Sequence, residues 1–226
     1  MSTLFLTGGS GFVGQHFIQM FSAAGHQVYA LARSEKSAQI VQDAGAIPVR
    51  DDLRQLSENT HKVLRECQAV VHSAAYMDFD YHQQRFYDIN VKATQTLLDM
   101  AKAGGWQRFI YISAAPVVPG SPVTNLRESE SGTGLPRHLY PRTKAIAERA
   151  VLAANDSEFT TISLRPPLIW GPENHHVDEM LDRVRAGKWM WIGGGQQILS
   201  SIHVKNLGAA VLAALQKGRG GEAYFV

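Results

Sequence analysis

The sequence predicts an α/β fold: a parallel sheet, doubly wound by helices on both faces, with a small lobe towards the C-terminus. Three observations predict it. Short apolar runs alternate with stretches of helical periodicity from Thr3 to Leu164, the pattern of strands linked by crossover helices. Gly25, Gly45 and the pair Gly104-Gly105 stand where helical stretches end, the position at which glycine stops a helix. The alternation then fails twice, over 115–137 and again beyond 165, where prolines and glycines mark irregular chain.

Each element follows in order. Thr3 to Leu6 is apolar and reads as the first strand. Phe12, Phe17, Met20, Phe21 and Ala24 recur at helical spacing, so Phe12 to Ala24 is the first helix. Val28 to Ala32 is the second strand, Ser37 to Ala44 the second helix, and Ile47 to Arg50 the third strand. A helix over Asn59 to Cys67 leads into a strand over Ala69 to Ser73. One long helix, Gln83 to Ala103, precedes the strand Phe109 to Ile112. After the irregular segment come a helix over Tyr140 to Ala154 and a strand over Thr160 to Leu164. Val177 to Ala186 is helical, and Ala223 to Val226 is strand-like. The expected division is 1–165 for the sheet domain and 166–226 for a partial second lobe, interleaved with the last sheet elements.

Composition narrows the class. The 226 residues suffice for one large α/β domain with a small lobe. Hydrophobic content is 45% and charged content 19%, as in globular proteins. A net charge of +2 without a Lys/Arg stripe disfavours nucleic acid as a partner. No apolar run is long enough to span a bilayer, and the apolar N-terminus runs straight into a glycine-rich turn, so it reads as a strand and not a signal segment. The single cysteine, Cys67, has no internal disulfide partner, which makes a reducing cytoplasm the expected location.

The turn Thr7-Gly8-Gly9-Ser10-Gly11-Phe12-Val13-Gly14 joins the first strand to the first helix. In that setting it is the phosphate-binding device of a dinucleotide site, and the fold is of the Rossmann type. Gly8 permits the tight turn, Gly11 leaves room for a pyrophosphate, and Gly14 lets the helix approach the strand. Free N–H groups at the start of the helix, around Phe12 and Val13, attract the phosphates. The second strand ends in Ala32-Arg33-Ser34, with no carboxylate for the ribose hydroxyls. A guanidinium clamps a 2′-phosphate, so Arg33 and Ser34 favour NADP(H) over NAD(H).

With these residues in place, the chain resembles the extended short-chain dehydrogenase/reductase superfamily. The spacing of Gly8, Gly11 and Gly14 is that group's form of the turn. Asp52-Leu53 resembles the pair that meets the adenine, and His72-Ser73-Ala74-Ala75 the strand-four motif that lines the cofactor. Asn90-Val91 with Thr94 is similar to the Asn motif of the long helix. Tyr140 and Lys144 resemble the catalytic pair, Leu164-Arg165-Pro166-Pro167 with Gly171-Pro172 the segment beside the nicotinamide, and His203-Val204 the late His-Val motif before the last helix. The resemblance implies an NAD(P)-dependent dehydrogenase or reductase. It also implies a lobe that continues for about another hundred residues, and a homodimer through the Gln83–Ala103 and Tyr140 helices.

The chemistry of the pair follows from physical reasoning as well. Tyr140 and Lys144 stand four apart and share a helix face. A free phenol has a pKa of about 10; a neighbouring ammonium is expected to lower it, so that the pair exchanges a proton while hydride moves. By resemblance, Lys144 also holds the nicotinamide ribose. The superfamily places a Ser or Thr just after the fifth strand, to hydrogen-bond the substrate carbonyl. Here Ala114 takes that place, with Ser113 one residue early; a one-residue shift in a strand faces the opposite side. Either Ser113 serves through a bend, or another hydroxyl substitutes, or activity is reduced.

The substrate expected is a small or apolar carbonyl or secondary alcohol. Tyr76, Phe79, Tyr81, Trp189, Met190 and Trp191 suit an apolar compound. Gln197 to His203 contains no Arg for a diphosphate, and Lys205 stands where an Asp often follows His-Val. The resemblance accordingly leans towards the hydroxysteroid-dehydrogenase and dihydroflavonol-reductase branch. The alternatives are a sugar-nucleotide epimerase or dehydratase, and a non-catalytic NADP(H)-sensing protein. His175-His176 with Asp178 and Glu179 lacks metal-ligand spacing, so no metal is expected.

Overall fold

The computed structural model describes residues 2–77, 82–119, 125–130, 134–190 and 192–226. The strands are β1 (Thr3–Thr7), β2 (Gln27–Ala32), β3 (Ile47–Arg50), β4 (Ala69–His72), β5 (Arg108–Ile112), β6 (Thr160–Arg165), β7 (Leu168–Trp170), β8 (Ser201–His203) and β9 (Glu222–Phe225). Seven of them form one sheet in the order β3-β2-β1-β4-β5-β6-β9, and every pairing is parallel. The order reverses between β1 and β4, so a ligand crevice opens beyond the carboxyl ends of those two strands.

The helices are α1 (Phe12–Ala23), α2 (Glu35–Asp43), α3 (Glu58–Arg65), α4 (Gln83–Phe86), α5 (Ala93–Ala103), α6 (Leu139–Ala153), α7 (His175–Arg185) and α8 (Val204–Lys217). They cover both faces of the sheet, which is why its strands read as continuous apolar runs. Alternation sorts the core. Leu4 and Leu6 of β1 pack with Phe17, Ile18 and Phe21 of α1 and Leu207 and Val211 of α8. Phe5 points the other way, among Leu97 and Leu98 of α5 and Ala147 and Val151 of α6.

One feature departs from the sequence expectation. Gln83 to Ala103 is not one uninterrupted α-helix: residues Tyr87–Lys92 form a π-helical turn between α4 and α5. The extra residue carries Asn90 inward, where the side chain is 1% exposed and hydrogen-bonded; apolar periodicity does not register such an insertion. At the lobe, residues Val204–Lys217 and Glu222–Phe225 return to the layers of the main sheet as α8 and β9. What lies outside those layers is the small parallel sheet of β7 and β8, α7 and the chain between them. There Leu168, Trp170, Met190, Ile198 and Leu199 are exposed. Among the described residues no helix is long and apolar enough to cross a membrane.

Candidate active site

The glycine turn is built for close approach. Gly8 has φ +77, and a Cβ there would lie 2.8 Å from the Ala74 nitrogen at the end of β4. A Cβ on Gly14 would lie 2.1 Å from the Gly8 carbonyl oxygen, so α1 can start against β1 only with glycine there. Gly11 differs: it is exposed, and a Cβ would meet only the Gly8 oxygen, at 3.4 Å. The protein leaves the space over Gly11 open, beside an α1 N-terminus with no side-chain cap and no acidic residue in its first turn. Phe12 and Val13 flank it, partly exposed. An open backbone cradle at an uncapped, positive helix end fits the linked phosphates of a dinucleotide.

A buried hydrogen-bond chain ties this turn to α6. Thr94 donates its hydroxyl proton to the Asn90 carbonyl at 2.9 Å, so its oxygen must accept from His72 Nε2, 2.8 Å away. That fixes the His72 tautomer. Nδ1 accepts from the Thr7 hydroxyl at 2.6 Å, and Thr7 Oγ1 accepts from the Ala74 N–H at 3.1 Å. The Asn90 side chain bonds both backbone groups of Tyr76 and donates to Thr143 Oγ1 at 3.1 Å. Burial, with a lesser contribution from the Lys144 charge, lowers the His72 pKa to about 3; the ring is neutral and serves as a structural relay.

Thr143 precedes Lys144, and α6 carries both Tyr140 and Lys144. Lys144 is 1% exposed. Its Nζ donates to the Ile112 carbonyl at 2.6 Å and lies 4.0 Å over the Tyr111 ring. Burial lowers its pKa to about 7, against an opposing pull from Glu148. Against the lowering expected from the sequence, burial pushes the Tyr140 pKa up to about 12. The ammonium is directed at the end of β5 and not at the phenol.

At the end of β5, Ala114 is buried with Val117, Val118 and Ala145, and Tyr140, Leu126 and Phe225 pack against this cluster. The position expected to hold a hydroxyl is thus apolar and adjoins Tyr140. Ser113 is 3% exposed and its hydroxyl has no hydrogen-bond partner among the described residues, while its N–H bonds the Leu164 carbonyl at 2.8 Å. Tyr111, two residues earlier and on the same strand face, also has a hydroxyl without a hydrogen-bond partner among the described residues.

Around the end of β2, Arg33 and Ser34 are exposed. Ser34 is the N-cap of α2, in a reciprocal capping box with Ser37, so its hydroxyl already has a structural task. Asp52 is gripped by Arg54 through Nε at 3.0 Å and Nη2 at 2.6 Å. That hydrogen bonding, opposed by burial and aided by the charges of Arg54 and Arg33, lowers its pKa to about 2. Leu53 is buried beside it. Ser73 and Ala74 are half-buried, and Ala75 is exposed, just past β4. Pro167 is half-buried between β6 and β7. His16 of α1 lies 3.1 Å from the Pro172 carbonyl oxygen, which joins the turn's helix to the lobe.

The relay through Thr7, His72 and Thr94 escaped the sequence reading as a unit. Its signal was present: polar residues at positions where a buried strand and helix call for apolar ones. Trp189 and Met190 are exposed, whereas Phe79, Tyr81 and Trp191 lie outside the described residues. Among the described residues no cluster of His, Cys, Asp or Glu could hold a metal ion.

This fold and this turn define a Rossmann oxidoreductase of the extended short-chain dehydrogenase/reductase class. Residues 5–222 match the 3-beta hydroxysteroid dehydrogenase/isomerase family, and the chain belongs to that family. It is 36% identical over 224 residues to 4-hydroxy-2-methyl-3-oxo-4-farnesyl-3,4-dihydroquinoline-1-oxide ketoreductase of Stigmatella aurantiaca, covering 98% of this chain and 67% of that protein. It is 32% identical to the decarboxylating sterol-4-alpha-carboxylate 3-dehydrogenase of Dictyostelium discoideum, covering 96% and 69%. Among solved structures, dTDP-glucose 4,6-dehydratase DesIV of Streptomyces venezuelae, with NAD and DAU bound, superposes with a TM-score of 0.84 at 25% identity, covering 99% of this chain and 74% of that one. The chain thus spans about two thirds of the length of the curated relatives it matches.

Proposed function

We propose that this protein is an NADP-dependent oxidoreductase that interconverts a ketone and a secondary alcohol on a largely apolar skeleton. The observation that carries the reading is the buried chain from Thr7 through His72, Thr94 and Asn90 to Thr143. It fastens the open phosphate cradle at Gly11 to the helix that bears Tyr140 and Lys144, so cofactor and proton donor share one rigid frame. The nicotinamide, when bound, supplies the hydride chemistry. Gly8, Gly11, Phe12, Val13 and Gly14 hold the phosphates, and Asp52, Leu53, Ser73, Ala74, Ala75 and Pro167 border the rest of the cofactor. Tyr140 donates or takes the proton of the substrate oxygen. Its high pKa keeps it a phenol at neutral pH, suited to protonating a nascent alkoxide.

Arg33 supports NADP over NAD: it is an exposed cation at the end of β2, where no carboxylate stands. The names of the two curated relatives share an oxygenated carbon at position 3 next to a substituted carbon, on a farnesyl-quinoline or sterol frame. We assign the same substrate class here. The apolar surroundings of Tyr140 and the absence of an Arg between Gln197 and His203 support it over a nucleotide sugar. A homodimer through the α4–α5 stretch and α6 belongs to the same proposal. The experiment is NADPH oxidation against a panel of 2-substituted 3-oxo compounds. Tyr140→Phe is expected to abolish turnover with cofactor affinity retained; undiminished turnover would refute the reading.

A further inference from the structure

Tyr140, Lys144 and Glu148 recur at four-residue intervals along α6 and so share one face of the helix. Glu148 is 4% exposed. Its carboxylate accepts from the Ser163 hydroxyl at 2.6 Å, from Arg165 Nε at 3.1 Å and from Arg165 Nη2 at 2.7 Å. Ser163 and Arg165 both come from β6, so the sheet grips this carboxylate from the side opposite the helix. The Arg165 guanidinium is itself covered by the Phe225 ring, 5.3 Å away.

Lys144 is an amine with almost no access to water, and burial opposes its charge. Among the described residues, the titratable and charged groups around it are Tyr140 and Glu148 on its own helix, Tyr111 of β5, His72 of β4 and, beyond Glu148, Arg165 of β6. Tyr111 and Tyr140 are phenols and His72 is neutral. Glu148 is the one anion of this group. We propose that Glu148 is a positioning residue: clamped by Ser163 and Arg165 one helical turn from Lys144, it is the buried counter-charge that favours the ammonium form of Lys144 against burial. The functional weight of this proposal rests on the reading given above, in which α6 carries the proton donor Tyr140 with Lys144 one turn on. Its electrostatic content stands apart from that reading and is testable without turnover.

The test is an NMR titration of the apoprotein with isotope-labelled lysine, the Lys144 signal being assigned by its loss in Lys144→Met. Glu148→Gln is expected to lower the Lys144 midpoint by about one pH unit, a tenfold loss of ammonium at a given pH. Glu148→Asp is expected to restore most of it. Because Glu148→Gln removes the carboxylate that Arg165 is hydrogen-bonded to, the double variant Glu148→Gln/Arg165→Gln is titrated in parallel and is expected to shift the same way. A midpoint unmoved in the folded variants overturns the proposal. A shifted midpoint in a protein whose Tyr140→Phe form retains full activity overturns the catalytic reading instead and leaves the electrostatic link standing.

Discussion

Lys144 donates to the carbonyl of Ile112 across 2.6 Å, binding the middle of α6 to the last residue of β5. The bond directs the ammonium at the strand. Burial, opposed by Glu148, sets the acidity of this lysine.

Stability should therefore depend on pH through Lys144. Its folded pKa is about 7 against 10.5 for the free side chain, so between those values the unfolded chain binds more protons than the native one. Stability from this group then rises with pH across that window. Urea melts of the wild type and Lys144→Met should converge, or cross in favour of the wild type, on going from pH 6.5 to pH 10. A constant difference would show that the lysine titrates normally.

His72 acts in the acid range. Its pKa is about 3 in the native state against 6.5 when free. As pH falls through that interval the unfolded chain takes up a proton that the native relay refuses, and stability drops by up to about 1.4 kcal/mol per pH unit. His72→Gln should flatten this slope in melts between pH 4 and pH 6.5, whatever it does to stability at neutral pH.

Gly14 and Gly11 of the turn should separate folding from binding. Gly14→Ala places a Cβ 2.1 Å from the Gly8 oxygen and should destabilise the protein by about 1–3 kcal/mol or more, as overpacking does. Gly11→Ala meets only ordinary contact, at 3.4 Å, on extended backbone of φ −83. It should leave the melting temperature unchanged while dinucleotide binding, followed by calorimetry, falls at least tenfold. Normal binding by Gly11→Ala would remove the phosphates from this turn.

Arg33→Ala should weaken NADPH by roughly tenfold or more, the effect of a charged hydrogen bond of about 1.5–3 kcal/mol, and leave NADH nearly unchanged. Equal losses for the two coenzymes would exclude a 2′-phosphate contact.

Ala114→Ser restores a hydroxyl next to Tyr140. A hydrogen bond made to the developing oxyanion should raise kcat about tenfold, equivalent to ~1.4 kcal/mol. An unchanged or lower kcat would indicate that the apolar cluster around Ala114 is itself suited to the substrate.

The sheet was legible because both of its faces are covered, so its strands are short runs rich in apolar residues, and the glycine turn announces its ligand by position. Asn90 and His72 were visible as motif letters, yet the π-helical turn and the hydrogen-bond relay were not. Both depend on contacts between residues far apart in the chain, such as Thr7 with His72 and Asn90 with Thr143. The sequence also suggested that Lys144 would acidify Tyr140, because helical spacing reports a shared face but not where a long side chain ends. Glu148 and Arg165 lay within recognised segments, and only their mutual burial marks them as a unit.

The place of β9 bears on how the chain reaches its native state. This strand pairs with β6, across an interval that holds β7, α7, β8 and α8. During synthesis on the ribosome, the flank of β6 stays bare until residues 222–225 emerge from the exit tunnel. A bare parallel edge is a template for mispairing between nascent chains, and such distant pairing is slow to form. Chaperone demand should therefore persist until β9 has been translated.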